Sequence, residues 1–208
     1  MSLLLPTFTV IAAWLVWRSR QARRRAAHID AFDLARLLDA RLAKRRSELD
    51  ATQRSQAFEA LRDWFRVCDR AARKRVGMPS QAVDGGWHEF IPHTRSHRRF
   101  GRQARGRFPH HVSAGAMASP TRANEALRRS RRLACRRAGI DPRAPAALPP
   151  LYAIDAEPGI DDGFRCRLDC ATAGSAGAGG YRAARTGCSG GDGPGGADGS
   201  DGGGCGGA

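Results

Sequence analysis

The chain has 208 residues, and its 35 Lys and Arg against 20 Asp and Glu give a formal net charge of +15 at pH 7. This length allows one modest domain with extensions and excludes two large domains. The basic surplus is uneven, because residues 151–208 contain 4 basic and 8 acidic side chains. Of the basic residues only Lys44 and Lys74 are lysines, a bias that suggests GC-rich codons. The high net charge alone is therefore weak evidence for a nucleic-acid partner.

The first apolar segment, residues 2–17, contains no charge, and five arginines follow it: Arg18, Arg20, Arg23, Arg24 and Arg25. A membrane-spanning helix usually needs about 20 apolar residues, with about 17 as the lower end. Trp14 and Trp17 lie where interfacial aromatic side chains are expected, and the arginines beside them can extend the apolar length by snorkelling. We therefore expect residues 1–25 to form a transmembrane anchor whose arginine flank binds anionic lipid.

The flanks of this segment indicate its orientation. A secretory signal peptide has positive charge before its apolar run and a small-residue cleavage site after it, and neither feature is present. Positive charge after the segment predicts a single-pass cell-membrane protein with the N-terminus outside and the remaining domain in the cytoplasm. A buried core helix and a misassigned start codon are the alternatives.

Apolar side chains recur at helical spacing in two stretches that follow the arginines. The first stretch contains Ile29, Phe32, Ala35, Leu38 and Leu42, and the second contains Phe58, Leu61, Phe65, Cys68 and Ala72. Asp50 and Gln53 between them match a capping box, which begins a helix. The two stretches predict a helical hairpin in which the Cys68 thiol is buried.

Two further helices are expected. One begins near Ser80 and is kinked or broken at Pro92, because an interior proline removes a hydrogen bond and clashes with the preceding turn. The other begins at Ser119 and Pro120, ends near Arg137 and has a thin apolar face, so it is expected to be peripheral. Residues 26–170 show no sustained alternation typical of strands, so the fold class is all-α.

The last segment, residues 171–208, is rich in glycine, with 16 Gly among 38 residues. It has little apolar surface to offset the entropy of ordering, so we expect a disordered tail. The six cysteines include no C-x-x-C pair. They are expected to stay as thiols in a reducing cytoplasm, whereas the reversed topology would allow disulfides in the tail.

Five of the six histidines lie between His88 and His111, which raises the question of a metal site. Asp84 and His88 are four residues apart, so a helix would bring the carboxylate and the imidazole to one face. The full zinc-protease motif is absent, since Thr94 follows His93 where a glutamate is needed. No G-x-S-x-G elbow and no phosphate-binding loop occurs either.

Two short motifs, V-D-G-G-W-H at residues 83–88 and G-R-F-P-H-H at residues 106–111, suggest a family. They resemble the V-D-x-x-W-H and G-R-F-x-H-H elements of uncharacterised bacterial proteins with Gly- and Cys-rich tails and, more distantly, the glycine-rich-domain proteins of plants. The resemblance covers about residues 78–170. It implies that a metal or ligand site of this family would use Asp84, His88, His110 and His111.

The sequence departs from that pattern at several positions. His97 stands where an aromatic residue such as Tyr is usual, and Gly101 stands where Cys is usual. Gly85 and Gly86 replace helix formers, and each interior glycine costs a helix about 1 kcal/mol.

Three functions are compatible with these observations. The leading hypothesis is a non-enzymatic tethering or interaction module at the membrane, with no cofactor. The second is a basic helical module that binds nucleic acid through the arginines of residues 95–143, although few aromatic side chains for base stacking occur there. The third is an enzyme that depends on zinc or another divalent metal held by Asp84, His88, His110 and His111.

Overall fold

The computed structural model describes residues 4–72, 74–105, 120–156, 160, 162–166, 168 and 188–190. Its helices are α1 (Leu4–Ala31), α2 (Leu34–Arg45), α3 (Ala51–Arg70), α4 (Gln81–Phe90), α5 (Thr94–Arg105), α6 (Pro120–Arg137) and α7 (Pro150–Ala153), which a single 3-10 turn (Ile154–Ala156) extends. The strands β1 (Phe164–Cys166) and β2 (Cys188–Gly190) form one antiparallel pair. The described part of the chain is therefore helical, as the sequence predicts, apart from this short ribbon.

Helix α1 is longer than the apolar segment and its arginine flank. It continues without interruption to Ala31, and the Asp33 side chain then begins α2 by accepting a hydrogen bond from the Arg36 backbone N–H at 2.9 Å. The apolar stretch that starts at Ile29 is thus divided between two helices. The boundary placed after residue 25 lies inside a helix, so the domain and the preceding apolar segment share one rigid element.

The predicted hairpin of α2 and α3 is confirmed. The Gln53 backbone N–H donates to Asp50 at 2.8 Å, and the Gln53 side chain accepts from the Asp50 backbone N–H at 2.9 Å, which completes the capping box. Leu34, Leu38 and Leu42 on one face of α2 are buried. These residues anchor α2 in the core beside α3 and α4.

A buried carboxylate fixes the start of α4. Asp155 accepts hydrogen bonds from the Ser80 hydroxyl at 2.6 Å and from the backbone N–H groups of Gln81 at 2.7 Å and Ala82 at 3.2 Å. It also accepts from the Phe164 backbone N–H at 2.8 Å. The first N–H groups of a helix have no partner within the helix, so Asp155 supplies acceptors that α4 lacks. This one side chain joins α4, the 3-10 turn and β1.

Residue 163 must be a glycine for this arrangement to close. A Cβ atom added to Gly163 would lie 2.5 Å from the Asp155 carbonyl oxygen, which is closer than real Cβ contacts allow. By contrast, a Cβ added to Gly85 would lie 3.5 Å from Arg46 Cγ, an ordinary packing distance. The packing around Gly85 therefore leaves room for a larger side chain.

The predicted break at Pro92 is confirmed, because α4 ends at Phe90 and α5 begins at Thr94. The turn brings α5 back across the core, where Phe100 packs against Phe65 with ring centroids 4.5 Å apart. Trp87 meets Phe65 at 5.5 Å. This aromatic cluster is the centre of the domain.

Helix α6 packs on α3 through a narrow face that includes Leu127, Ala134 and Cys135. Its range agrees with the prediction, although Ser119 lies outside the described residues. Ser130 and Tyr152 lie within hydrogen-bond distance at 2.6 Å in the buried contact between α6 and α7. The helix is thus peripheral in position but contributes buried side chains.

The cysteines differ from the expectation of uniform thiols. Cys68 and Cys135 are buried thiols, as predicted for Cys68, but Cys166 is disulfide-bonded. The register of the ribbon places Cys188 opposite Cys166. Residues 188–190 belong to the glycine-rich segment, and its other residues lie outside the described part of the chain.

Candidate functional site

The first half of α1 is bare. Every residue from 7 to 20 is exposed, including large apolar side chains on all sides of the helix: Phe8, Val10, Ile11, Trp14, Leu15, Val16 and Trp17. Phe8 is 75% exposed and Trp17 is 57% exposed. A helix that is apolar all round is usually buried in a protein core or in a membrane. No other described element covers this half, so its apolar surface faces outward.

The described residues contain no helix long and apolar enough to cross a membrane. At 1.5 Å per residue, the apolar residues 4–17 extend about 21 Å, whereas the hydrocarbon core of a bilayer is about 30 Å thick. The arginines from Arg18 onward end the apolar run. This finding does not support the single-pass anchor predicted for residues 1–25.

The arginine flank occupies the part of α1 that approaches the domain. Arg18 lies over the Trp14 ring, with 5.3 Å between the guanidinium carbon and the ring centroid, as in a cation–π pair. Arg20, Arg23 and Arg24 are exposed. Arg25 is 3.5 Å from Asp69 on α3. The flank therefore joins the bare apolar half to a packed half that contacts α3 and α5.

Two of the four predicted metal ligands are brought together. His88 Nε2 lies 3.3 Å from Asp84 Oδ2, one turn apart on α4. His110 and His111 lie outside the described residues. Among the residues that are described, no group of three or more His, Cys, Asp or Glu side chains could hold a metal ion. The structure thus shows a carboxylate–imidazole pair, and the predicted set of four is untested.

His97 belongs to the core. Its ring lies 5.0 Å from those of both Trp87 and Phe90 in edge-to-face contacts, and only 1% of the residue is exposed. Burial lowers the pKa of His97, because the charged imidazolium is disfavoured away from water. The resemblance to a family with an aromatic residue at this position was the signal for this placement.

An ion-pair site that the sequence did not reveal lies between α2 and α4. The Glu89 carboxylate accepts from Arg41 Nε at 2.7 Å and from Arg45 Nη1 at 3.3 Å. These hydrogen bonds, that of Arg41 foremost, lower the pKa of Glu89. Arg46 binds Asp162 through both terminal nitrogens, at 3.0 and 2.6 Å. The Glu89 pairs hold α4 to α2, whereas the Arg46–Asp162 pair holds the end of α2 to the turn before β1, and we assign all of them a structural role.

Comparison with protein-family models gives a match. The family model described as UCP032817-like matches residues 24–189, which begins within α1 after its apolar half. No curated protein and no solved structure matches the chain.

Proposed function

The chain belongs to the UCP032817-like family, and we propose that it is a non-catalytic tethering module that attaches to a membrane through the first half of α1. The observation that supports this proposal is the bare apolar surface of residues 7–17, which the arginine flank follows directly. A bilayer surrounds an inserted helix with an apolar medium on all sides. A protein partner would have to enclose the helix completely.

The energetics favour attachment. Moving a large apolar side chain from water into an apolar surrounding contributes about 1.5–3 kcal/mol when burial is complete. Seven such side chains in this half of α1 are at least half exposed. Each arginine near an anionic surface adds about 1 kcal/mol. The apolar half is too short to cross the bilayer, so we propose insertion into one side of it.

The continuity of α1 gives the tether its geometry. Residues 18–25 extend about 12 Å at 1.5 Å per residue, which is more than the thickness of the one polar headgroup layer that they would pass, about 5–8 Å. The helix then packs against α3 and α5. A single rigid helix would thus hold the domain just outside the headgroups.

Membrane fractionation and flotation of the full chain test this function. We expect the parent protein to float with vesicles, and the double variant Ile11→Asp with Leu15→Asp to stay in the soluble fraction. The matched control is Ala35→Asp with Ala40→Asp, which places two carboxylates on exposed positions of α2 and should float as the parent does. Recovery of the parent in the soluble fraction with its first residues intact would contradict the proposal.

We propose that the domain lies at the cytoplasmic face, because the anionic lipid that would attract the arginine flank is concentrated in the cytoplasmic leaflet. Disulfides are rare in the reducing cytoplasm, so the redox state in cells of Cys166, which is disulfide-bonded in the structure, tests this placement. Alkylation in denaturant immediately on acid quenching, followed by mass spectrometry, measures this. Cys135, a buried thiol, serves as the control that is alkylated in every sample. An oxidised Cys166 in quenched cells would contradict the cytoplasmic placement.

The Asp84–His88 pair supports a second candidate, a divalent-metal site completed by His110 and His111. Imidazole and carboxylate are ordinary zinc ligands, and a carboxylate also orients a ligating histidine. Metal analysis of the purified full chain, with His88→Ala as comparison, tests it. We expect bound metal in the parent and a loss of at least tenfold in affinity in the variant. A parent protein without metal after incubation with zinc would exclude this site.

A further inference from the structure

A cleft of about 400 Å³ lies between α1 and α5 at the boundary between the two halves of α1. Its α1 side is lined by Trp17, Gln21, Arg24, Arg25 and His28, and its α5 side by Arg102 and Gln103. Positions 17, 21, 24 and 28 repeat at steps of four and three, so they form one face of α1. This face meets α5, which packs directly against α1.

The cleft has an excess of positive charge. Arg24, Arg25 and Arg102 border it, and Arg25 alone of these has a carboxylate partner among the described residues, Asp69 at 3.5 Å. That separation exceeds an ordinary N–H···O hydrogen bond of about 2.7–3.2 Å. Two packed helices thus direct cationic side chains into one space, where like charges repel. A bound anion would offset this repulsion.

Among the described residues that line the cleft, His28 is the one titratable side chain that is not an arginine. The His28 ring lies between those of Phe32 and Phe100, with centroid distances of 6.2 and 5.7 Å. Burial, and then the charge of Arg99, lower the pKa of His28. The imidazole is therefore neutral near pH 7, and the positive charge in the cleft comes from the arginines.

We propose that this cleft binds one phosphate group, supplied by the headgroup of an anionic phospholipid or by a soluble phosphate ester. Arg24 and Arg102 would hold the phosphate from two sides, since guanidinium groups match its oxygens in charge and geometry. Gln21 and Gln103 supply amide donors for the remaining oxygens. Trp17 belongs both to the cleft and to the bare apolar half, so the acyl chains of a bound lipid would continue along residues 7–17.

The lipid source of this phosphate depends on the proposed tethering function, whereas the soluble source does not. The experiment therefore has two arms. In the first, the full chain is titrated with vesicles of phosphatidylcholine alone and of phosphatidylcholine with phosphatidylglycerol. In the second, it is titrated with glycerol phosphate in solution by calorimetry.

The decisive variant is Arg102→Gln, and the matched control is Arg98→Gln on the same helix, which is exposed and does not line the cleft. We expect Arg102→Gln to weaken binding to phosphatidylglycerol vesicles about tenfold, since one charge-assisted hydrogen bond is lost. The control should lose less than about threefold, and neither variant should change binding to phosphatidylcholine.

The outcomes are distinguishable. Equal losses of vesicle affinity in the two variants would show that the overall positive charge attracts the membrane, and would overturn the proposed phosphate site in the cleft. Binding of glycerol phosphate that requires Arg102, without attachment to any vesicle, would support the cleft with a soluble ligand and overturn the tethering function. Binding to phosphatidylglycerol that requires Arg102, without binding of glycerol phosphate, would identify the lipid as the source. Failure to bind either probe would overturn both proposals.

Discussion

Helix α3 and the first half of α1 are both rich in apolar side chains, but their surroundings are opposite. In α3 the apolar residues lie on one stripe with charged residues on the other side, and eight of its residues are buried. In residues 7–17 of α1 the apolar residues surround the helix, and all are exposed. A stripe can be covered by neighbouring helices, whereas an apolar helix needs an apolar medium on every side. The distribution of apolar residues, more than their number, separates the folded core from the segment that we propose to bind the membrane.

The largest expected effect comes from truncating one phenylalanine in each region. Phe65→Ala removes a buried ring that packs against Trp87, Phe90 and Phe100, so the free energy of unfolding should fall by about 3–5 kcal/mol. Phe8→Ala should change it by less than about 0.5 kcal/mol, because Phe8 is exposed. Denaturant unfolding of the full chain measures both. A comparable loss in Phe8→Ala would mean that the first half of α1 packs on the domain in solution.

The next largest difference in stability is expected between substitutions of a buried and an exposed aspartate. In the parent protein the Asp155 carboxylate accepts hydrogen bonds from a hydroxyl and from backbone N–H groups. Asp155→Asn replaces one of its oxygens with an NH2 group, which cannot accept them, so we expect the free energy of unfolding to fall by about 2–3 kcal/mol. Asp141 is the matched control, since its carboxylate accepts the Arg143 backbone N–H at 2.9 Å on the exposed surface. Asp141→Asn should change stability by less than about 0.5 kcal/mol. Equal effects in denaturant melts would show that water reaches Asp155.

The features that the sequence predicted correctly depend on residues that lie within one or two helical turns of each other. The capping box at Asp50, the helix start at Ser80 and the break at Pro92 depend on residues three or four positions apart. Their geometry follows from the local backbone.

The missed features join residues that are distant in sequence. Asp155 lies 75 residues from Ser80, and Glu89 lies 48 residues from Arg41. The cleft between α1 and α5 exists because the turn at Pro92 returns α5 to α1. The sequence showed that both segments are rich in arginine, but their facing positions depend on the tertiary packing.

Acid should destabilise the domain through His97 while leaving residues 7–17, which contain no titratable side chain, unaffected. The folded pKa of His97 lies below its ordinary value of 6.5, so below pH 6.5 the unfolded chain binds a proton that the folded chain does not. The contribution of the buried, neutral His97 to the free energy of unfolding is therefore fully present above this pH. It falls as the pH decreases toward the folded pKa, by up to about 1.4 kcal/mol per pH unit.

His97→Phe keeps an aromatic ring in contact with Trp87 and Phe90 and removes the titration. The free energy of unfolding of this variant should depend less on pH between 6.5 and the lower folded pKa of His97. Some dependence should remain in this range, because the pKa of His28 is also lowered in the folded protein. Denaturant unfolding at a series of pH values gives the two slopes. Parallel curves for the parent and the variant would place the acid sensitivity elsewhere.

The smallest effect compares helix propensity in the two regions. Gly85 lies inside α4 and has space for a Cβ atom, so Gly85→Ala should raise the free energy of unfolding by about 0.5–1 kcal/mol. Ala13→Gly makes the opposite change in the bare half of α1. It should weaken that half of the helix without altering the global unfolding of a domain that it does not contact, since local and global stability are separate there. Circular dichroism at 222 nm and denaturant midpoints measure the two responses. A lower midpoint in Ala13→Gly would show that α1 unfolds as one unit with the core, and the separation of its two halves would then be wrong.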